Sequence, residues 1–255
     1  EMYVAQLSDT HVTVDGTHAA AREGTLIRAV HELNRMTPPP LAVVHTGDVA
    51  HTGRRGEYGV ASRALAKLKS PLYLTVGNRD DRVECRSAFP QLSALTESSP
   101  FIQYAVDLGP ARLVVLDTLS IDHGLGEACD GRLTQAAPLL AEVVPPTIVI
   151  LHHPPVALPT LYNASQFRSV SESEQLVRLI GRQPGVLGVL GGHVHREDVV
   201  PIGATHLSTA PSLALDLRKG RYPGPAGKQA FFHRHDIGER GLITSRVLVP
   251  LPVER

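Results

Sequence analysis

Aspartate, histidine and one asparagine recur beside glycine or proline at the ends of apolar runs in this chain. The stretches are Asp9-Thr10-His11, Gly47-Asp48, Gly77-Asn78-Arg79-Asp80, His152-His153 and Gly192-His193-Val194-His195. Asp9, Asp48, Asn78, His11, His152, His193 and His195 together offer two carboxylates, one amide oxygen and four imidazoles, with no thiolate. Mixed imidazole and oxygen donors suit Zn, Fe or Mn rather than a thiolate-rich structural site. Seven ligands are too many for one tetrahedral ion. They suit two ions sharing a bridging carboxylate, and two ions about 3.5–4 Å apart clamp the attacking and leaving oxygens of a phosphoryl displacement. Each stretch alone has an ordinary reading, as an Asp-capped turn, a Gly-Asp turn or a loop of solvated imidazoles. Their force comes from a consistent order at successive strand ends.

The elements that must position them are legible as short Val/Ile-rich runs: 3–7, 41–46, 72–76, 101–108, 112–118, 147–151, 185–190 and 204–209. Ligands in open α/β sheets gather at the carboxyl ends of strands. The i, i+2 spacing of Asp9 with His11, and of His193 with His195, would put each pair on one side of an extended chain. Gly191 and Gly192 would let the backbone come close. Between the strands lie helical patterns. Leu26, Ile27, Val30 and Leu33 share one face, as do Ala61, Ala64, Leu65 and Leu68. A capping box, Ser171 to Glu174, opens a third helix. A fourth, 131–144, contains Pro138, which leaves its start open. Strand–helix alternation implies a largely parallel sheet. The segment from about 204 to 255 reads as strands and hairpins completing a second, more antiparallel sheet. The expected fold class is α/β, a single domain over 1–255, with the irregular 154–171 segment as a lid or rim.

Composition narrows the classes. Lys plus Arg and Asp plus Glu balance at 25 each, with four lysines and no Trp. Neither a polyanion-binding patch nor a base-stacking platform is visible, so no nucleic-acid polymer is expected. No apolar run approaches the roughly 20 residues of a membrane-spanning helix. Cys85 and Cys129 are read as reduced thiols, and "EMYVAQLSDTH" as a strand entering a turn rather than a secretory signal. The expectation is a cytoplasmic protein without a membrane partner.

The ordered blocks resemble the calcineurin-like metallophosphoesterases, whose pattern is D-x-H, G-D, G-N-H-D/E, H and G-H-x-H. The blocks "HTGDVAHTG", "LYLTVGNRD" and "LHHPPV" look most like the class III cyclic nucleotide phosphodiesterase and glycerophosphodiesterase branch. The resemblance implies a four-layer αββα sandwich of two mixed sheets. It implies that Asp9, His11 and His195 hold one metal, that Asn78, His152 and His193 hold the other, and that Asp48 bridges them. It implies attack of a metal-bound hydroxide on a small phosphodiester, such as a cyclic nucleotide or glycerophosphodiester, with two Fe, Mn or Zn ions. His11, Asp48, Asn78, Arg79 and His195 would surround the phosphate, and Asn78, Arg79 and His153 would serve catalysis. His153 would donate to a ligand or to phosphate, or else be a solvated loop imidazole. Many relatives dimerise, so a homodimer is a further expectation. A phosphomonoesterase on the same scaffold and a non-catalytic nucleotide-binding module stay open as alternatives.

Arg79 departs from the pattern, which has His there. Arginine does not release its proton near neutral pH, but it can make charge-assisted hydrogen bonds to a phosphoryl oxygen. The Arg form also appears in the bacterial UDP-2,3-diacylglucosamine pyrophosphate hydrolases of the same superfamily. Alternatively, Arg79 pairs with Asp80 or Asp81 in its own turn. Substrate choice is expected from the 154–171 loop, with Tyr162, Asn163 and Phe167 as candidates against ordinary packing, and from the segment around 216–233.

Overall fold

The computed structural model describes residues 1–252 except 98, 122–123, 142–145 and 162–164. Its strands are β1 (Tyr3–Leu7), β2 (Ala42–His45), β3 (Leu72–Leu74), β4 (Tyr104–Asp107), β5 (Arg112–Val115), β6 (Thr147–Ile150), β7 (Val186–Gly191), β8 (Val199–Ile202), β9 (Thr205–Thr209), β10 (Phe231–Ile237) and β11 (Leu242–Leu248). Helices are α1 (Ala19–Leu33), α2 (Arg55–Leu65), α3 (Arg82–Ala88), α4 (Pro90–Leu95), α5 (Asp130–Ala141) and α6 (Val170–Gly181). One sheet runs β11-β10-β1-β2-β3 and the other β4-β5-β6-β7-β9-β8.

Both sheets are mixed. β1, β2 and β3 pair in parallel, while β10 and β11 extend them antiparallel. β5, β6, β7 and β9 are parallel, with β4 and β8 as antiparallel edges. The period-2 alternation of β5 and β6 shows how four layers arise. Leu113, Val115, Ile148 and Ile150 pack with β1, β2, α1 and α2. Val114 and Val149 pack on the opposite side with Ala136 and Leu140 of α5 and Leu176 and Ile180 of α6. The sheets therefore face each other, each covered outside by helices, as expected for an α/β sandwich.

Several local expectations need correcting. The segment after 204 does not complete one sheet. β9 joins the six-stranded sheet, and β10–β11 cross to pair with β1, because β1 has a free edge for antiparallel pairing beside its parallel partner. Ile27 is 41 % exposed and lies off the buried α1 face. The cap of α6 is Ser169, whose side chain accepts from the Glu172 N–H at 3.3 Å; Ser171 lies inside the helix. Pro138 sits within α5. Cys85 and Cys129 are free. No described helix is long and apolar enough to cross a membrane.

Glu197, on the β7–β8 connection, ties the sheets together. It accepts from His233 Nε2 of β10 at 2.7 Å and from Arg246 Nε of β11 at 3.0 Å. Burial pushes its carboxyl up, but the hydrogen bonds from His233 and Arg246 outweigh this and hold it at about 2. A depressed carboxylate contributes stability that is present above the ordinary value of 4.5 and is lost as pH falls towards 2. Glu197→Gln is expected to cost about 1–3 kcal/mol at neutral pH, and the gap to wild type should close through that acid window. Denaturant unfolding at a series of pH values checks it. A gap constant down to pH 2 would contradict the account.

Candidate metal centre

The residues flagged by sequence converge where β1, β2, β3, β6 and β7 end. Among the described residues, five non-glycine positions have positive φ: Asp9 (50°), His11 (44°), Asp48 (52°), His193 (71°) and His195 (57°). All five belong to the candidate ligand set. A left-handed non-glycine residue costs on the order of 1–3 kcal/mol and persists only where its surroundings over-determine it. The i, i+2 pairs therefore do not converge by strand alternation. They lie past the strand ends, in turns whose left-handed residues aim both side chains inward.

Backbone bonds enforce these turns. Asp9 N–H donates to Gly47 O at 3.0 Å, His11 N–H to Asp48 O at 3.0 Å, and Gly192 N–H to His152 O at 3.0 Å. Glycines make room. A Cβ on Gly192 would lie 2.4 Å from Ser8 Oγ and 2.7 Å from Asp9 Oδ2. A Cβ on Gly77 would lie 2.2 Å from Asp48 Oδ1 and 2.6 Å from His152 Nε2. Gly191 has ordinary space, with its nearest neighbour at 3.7 Å, so close approach falls on Gly192, Gly77 and Gly47, where a Cβ would lie 2.6 Å from His152 Nδ1.

Two groups of donors result. Asp9, His11, Asp48 and His195 place one ligand atom each within 4.8 Å of one another, and so do His152, His153 and His193. In the first group His11 Nε2 faces His195 Nε2 at 3.0 Å, and His195 Nε2 lies 3.2 Å from Asp9 Oδ1. His195 Nδ1 is bound to Leu217 O at 2.9 Å, which requires the proton there and leaves a lone pair on Nε2. In the second group His152 Nδ1 donates to Thr46 O at 2.7 Å, which turns its Nε2 to Asn78 Oδ1 at 3.2 Å. Asn78 Oδ1 is also 2.9 Å from His193 Nδ1. Asp48 stands between the groups, with Oδ2 3.5 Å from His11 Nε2 and Oδ1 3.6 Å from His152 Nε2. Imidazole nitrogens and carboxylate or amide oxygens converge on both sides, a donor-atom set that a cation would satisfy in each group.

The proton distribution agrees. Burial disfavours charge on His152, yet Asp48 and Asp9 push it up to about 9; one proton stands where a cation would. Burial, only partly opposed by Asp48 and Asp9, takes His11 down to about 4. Burial and the neighbouring His152 take His193 down to about 4. Burial also opposes the charge on Asp9, but His195, His152 and His11 outweigh it and hold its carboxyl well below the usual range.

The Gly77–Asp81 turn resolves the question of Arg79. Asp80 is buried and accepts from Gly77 N (2.9 Å), Val49 N (3.2 Å), Ala50 N (3.0 Å) and Tyr58 Oη (2.8 Å). Burial and the nearby Asp48 push it up to about 6. Asp81 caps α3 through Val83 N and Glu84 N. Neither pairs with Arg79, whose backbone N–H donates to Asp48 Oδ1 at 2.8 Å while its side chain is exposed.

Other expectations divide. His153 is fully buried rather than solvated, with Nδ1 2.8 Å from Thr118 Oγ1 and Nε2 without a partner among the described residues. Phe167 is 3 % exposed and packs in the α5–α6 core and near the His153 ring, which is the packing alternative. Tyr162 and Asn163 lie outside the described residues. The 216–233 segment holds ligands in place: Leu217 O binds His195, Lys219 N–H donates to His195 O at 2.8 Å, and Asp216 pairs with Arg22, which in turn donates to His11 O. Sequence reasoning missed His51, half-buried with Nδ1 3.4 Å from His11 Nδ1, and His45, buried against Thr10 Oγ1 at 3.1 Å. The signal for His51 was its place three residues after Asp48.

Comparison with known proteins agrees with this geometry. The profile of the calcineurin-like phosphoesterase family matches residues 2–197. The chain is 29 % identical to a glycerophosphodiester phosphodiesterase from Enterobacter lignolyticus, over 83 % of this chain and 77 % of that one. It is 31 % identical to a protein from Rhodopseudomonas palustris described as a probable cyclic nucleotide phosphodiesterase, over 74 % and 70 %. A dimetal phosphatase from Danio rerio shares the fold, with a TM-score of 0.73 and 12 % identity over 97 % of this chain and 98 % of that one.

Gly77→Ala follows as a test of the crowding. Calorimetric titration of the metal-free variant with Mn²⁺ should show binding weakened at least about 10-fold, with the fold retained by circular dichroism. A titration matching wild type would show that the turn yields without disturbing Asp48 and His152.

Proposed function

The chain belongs to the calcineurin-like phosphoesterases, and from that premise we propose that it is a two-cation phosphodiesterase acting on a small diester, a cyclic nucleotide or glycerophosphodiester. The observation that carries this reading is the Asp48 carboxylate, one oxygen turned to each imidazole group. Asp9, His11 and His195 would hold one divalent ion, Asn78, His152 and His193 the other, with Asp48 shared. Fe, Mn and Zn all suit this donor set. When bound, the two ions lower the pKa of water and neutralise charge on the phosphoryl oxygens.

The chain's own residues supply the rest. Asp48 Oδ1 anchors the Arg79 backbone, so the Arg79 side chain starts from a fixed point at the mouth of the centre. Its guanidinium has no protein partner among the described residues and binds a phosphoryl oxygen, holding the diester for attack. It cannot hand a proton to the departing oxygen. His51 lies close enough to Arg79 and Arg22 for their charges to add to burial in lowering its pKa. It therefore serves as a neutral ring beside the phosphate. Diesters of the relatives' kinds, whose names specify cyclic nucleotides and glycerophosphodiesters, support the substrate class.

An aryl phosphodiester with Mn²⁺ tests the reading. Turnover should exceed that of the matching monoester, and Asp48→Ala should lower it by about 10²–10³-fold. Full activity in Asp48→Ala would overturn the two-cation mechanism. Arg79→Ala should raise KM by about 10–100-fold, the worth of a hydrogen bond to a charged group at about 1.5–3 kcal/mol. Arg79→His should favour alkyl over aryl leaving groups, because an imidazole can act as an acid. Equal change across leaving groups would leave Arg79 as a phosphate clamp alone.

A further inference from the structure

Gln6 is a fully buried amide in the apolar strand β1, where a hydrophobic side chain would fill the space between the sheets. Its Nε2 donates to Thr46 Oγ1 at 3.0 Å and to Gly191 O at 2.9 Å, and its Oε1 lies 2.8 Å from His235 Nε2. Thr46 Oγ1 donates to Ser8 Oγ at 2.7 Å, and Ser8 Oγ donates to Asp9 Oδ2. At the far end His235 Nδ1 lies 2.8 Å from Thr244 Oγ1. The chain thus runs from β11 through the inter-sheet core to a candidate cation ligand.

Its direction is fixed by chemistry. An ionised carboxylate only accepts, so the Ser8 hydroxyl must donate to Asp9. Ser8 then accepts from Thr46, and Thr46 accepts from the Gln6 amide. The amide oxygen needs a donor, which places the proton of neutral His235 on Nε2 and makes Nδ1 the acceptor for Thr244. Burial of His235 keeps it neutral. Each donor has an acceptor; the Thr46 hydroxyl also lies 3.5 Å from Leu7 O, but Ser8 Oγ at 2.7 Å is the nearer. The outcome is that Asp9 Oδ2 is taken by Ser8, while Oδ1 faces His195 Nε2 at 3.2 Å; the His193 N–H is shared by the two oxygens, at 3.1 Å from Oδ2 and 3.3 Å from Oδ1.

We propose that Gln6 is a positioning residue, which through Thr46 and Ser8 selects the Asp9 oxygen offered to the cation shared with His11 and His195. Its second N–H, on Gly191 O, sets the spacing between the β1 and β7 ligand turns, which come from different sheets. The inference rests on the two-cation reading. It predicts an effect on one cation alone. His152, in the other group, uses the Thr46 backbone carbonyl, which a side-chain change leaves in place.

The experiment is calorimetric titration of the metal-free full chain with Mn²⁺, with thermal unfolding run alongside. Wild type should show two binding events. Thr46→Val, nearly isosteric but without the hydroxyl, should weaken one event about 10–100-fold and leave the other unchanged. Thr46→Ser keeps the hydroxyl and should bind like wild type. Gln6→Leu should follow Thr46→Val, and if it does not fold, the Thr46 pair decides alone. Retention of both events in Thr46→Val, or equal weakening of both, would overturn the proposal. A wild type that binds fewer than two Mn²⁺ would instead defeat the two-cation reading, and this inference with it. Two wild-type events with indifferent variants would leave that reading standing.

Discussion

Cation-type ligand atoms crowded around one point define this molecule. Around Asp48, the imidazole nitrogens of His11 and His152 and the oxygens of Asp9 and Asn78 point inward at short range. Such a centre collapses unless each acceptor is pinned from behind. The pins are visible: Leu217 O and Thr46 O on the imidazoles, Ser8 on Asp9, the Arg79 backbone on Asp48. Five left-handed non-glycine residues and the crowded glycines Gly47, Gly77 and Gly192, among the described residues, bring backbone this close around one point.

The two-sheet architecture follows from the same demand. No single sheet can surround a centre, since its strand ends form a line. Here β1, β2 and β3 bring one row of turns and β6 and β7 another. Facing the sheets makes the two rows converge. The polar links that cross between them, Gln6 to Gly191 and Glu197 to His233 and Arg246, hold the rows in register where apolar packing alone would allow sliding.

Much of this was legible in the sequence, and the reason is local. A strand end marked by glycine and a ligand-type residue needs no partner to be recognised, so Asp9, Asp48, Asn78, His152 and His193 were found in their places. What depended on distant pairing was not. β10 bonds to β1 across more than two hundred residues, and nothing in "FFHRHDI" names the sheet it joins. β8 was missed because Pro201 interrupts a short run. Left-handed turns were misread as extended chain, because i, i+2 spacing serves both. His51 escaped notice because its meaning lies in its distance to His11, a property of the folded turn alone.

Arg79 gives the centre an unusual freedom. Its backbone is locked to Asp48 and its neighbour Asp80 is fully committed, but its own exposed side chain makes no hydrogen bond or ion pair among the described residues. Exchanging an exposed side chain of that kind changes stability by less than about 0.5 kcal/mol. The fold therefore places no veto on what occupies this position. Arginine, histidine or another group can stand here without a compensating change elsewhere, so the chemistry at the mouth is separable from the scaffold behind it.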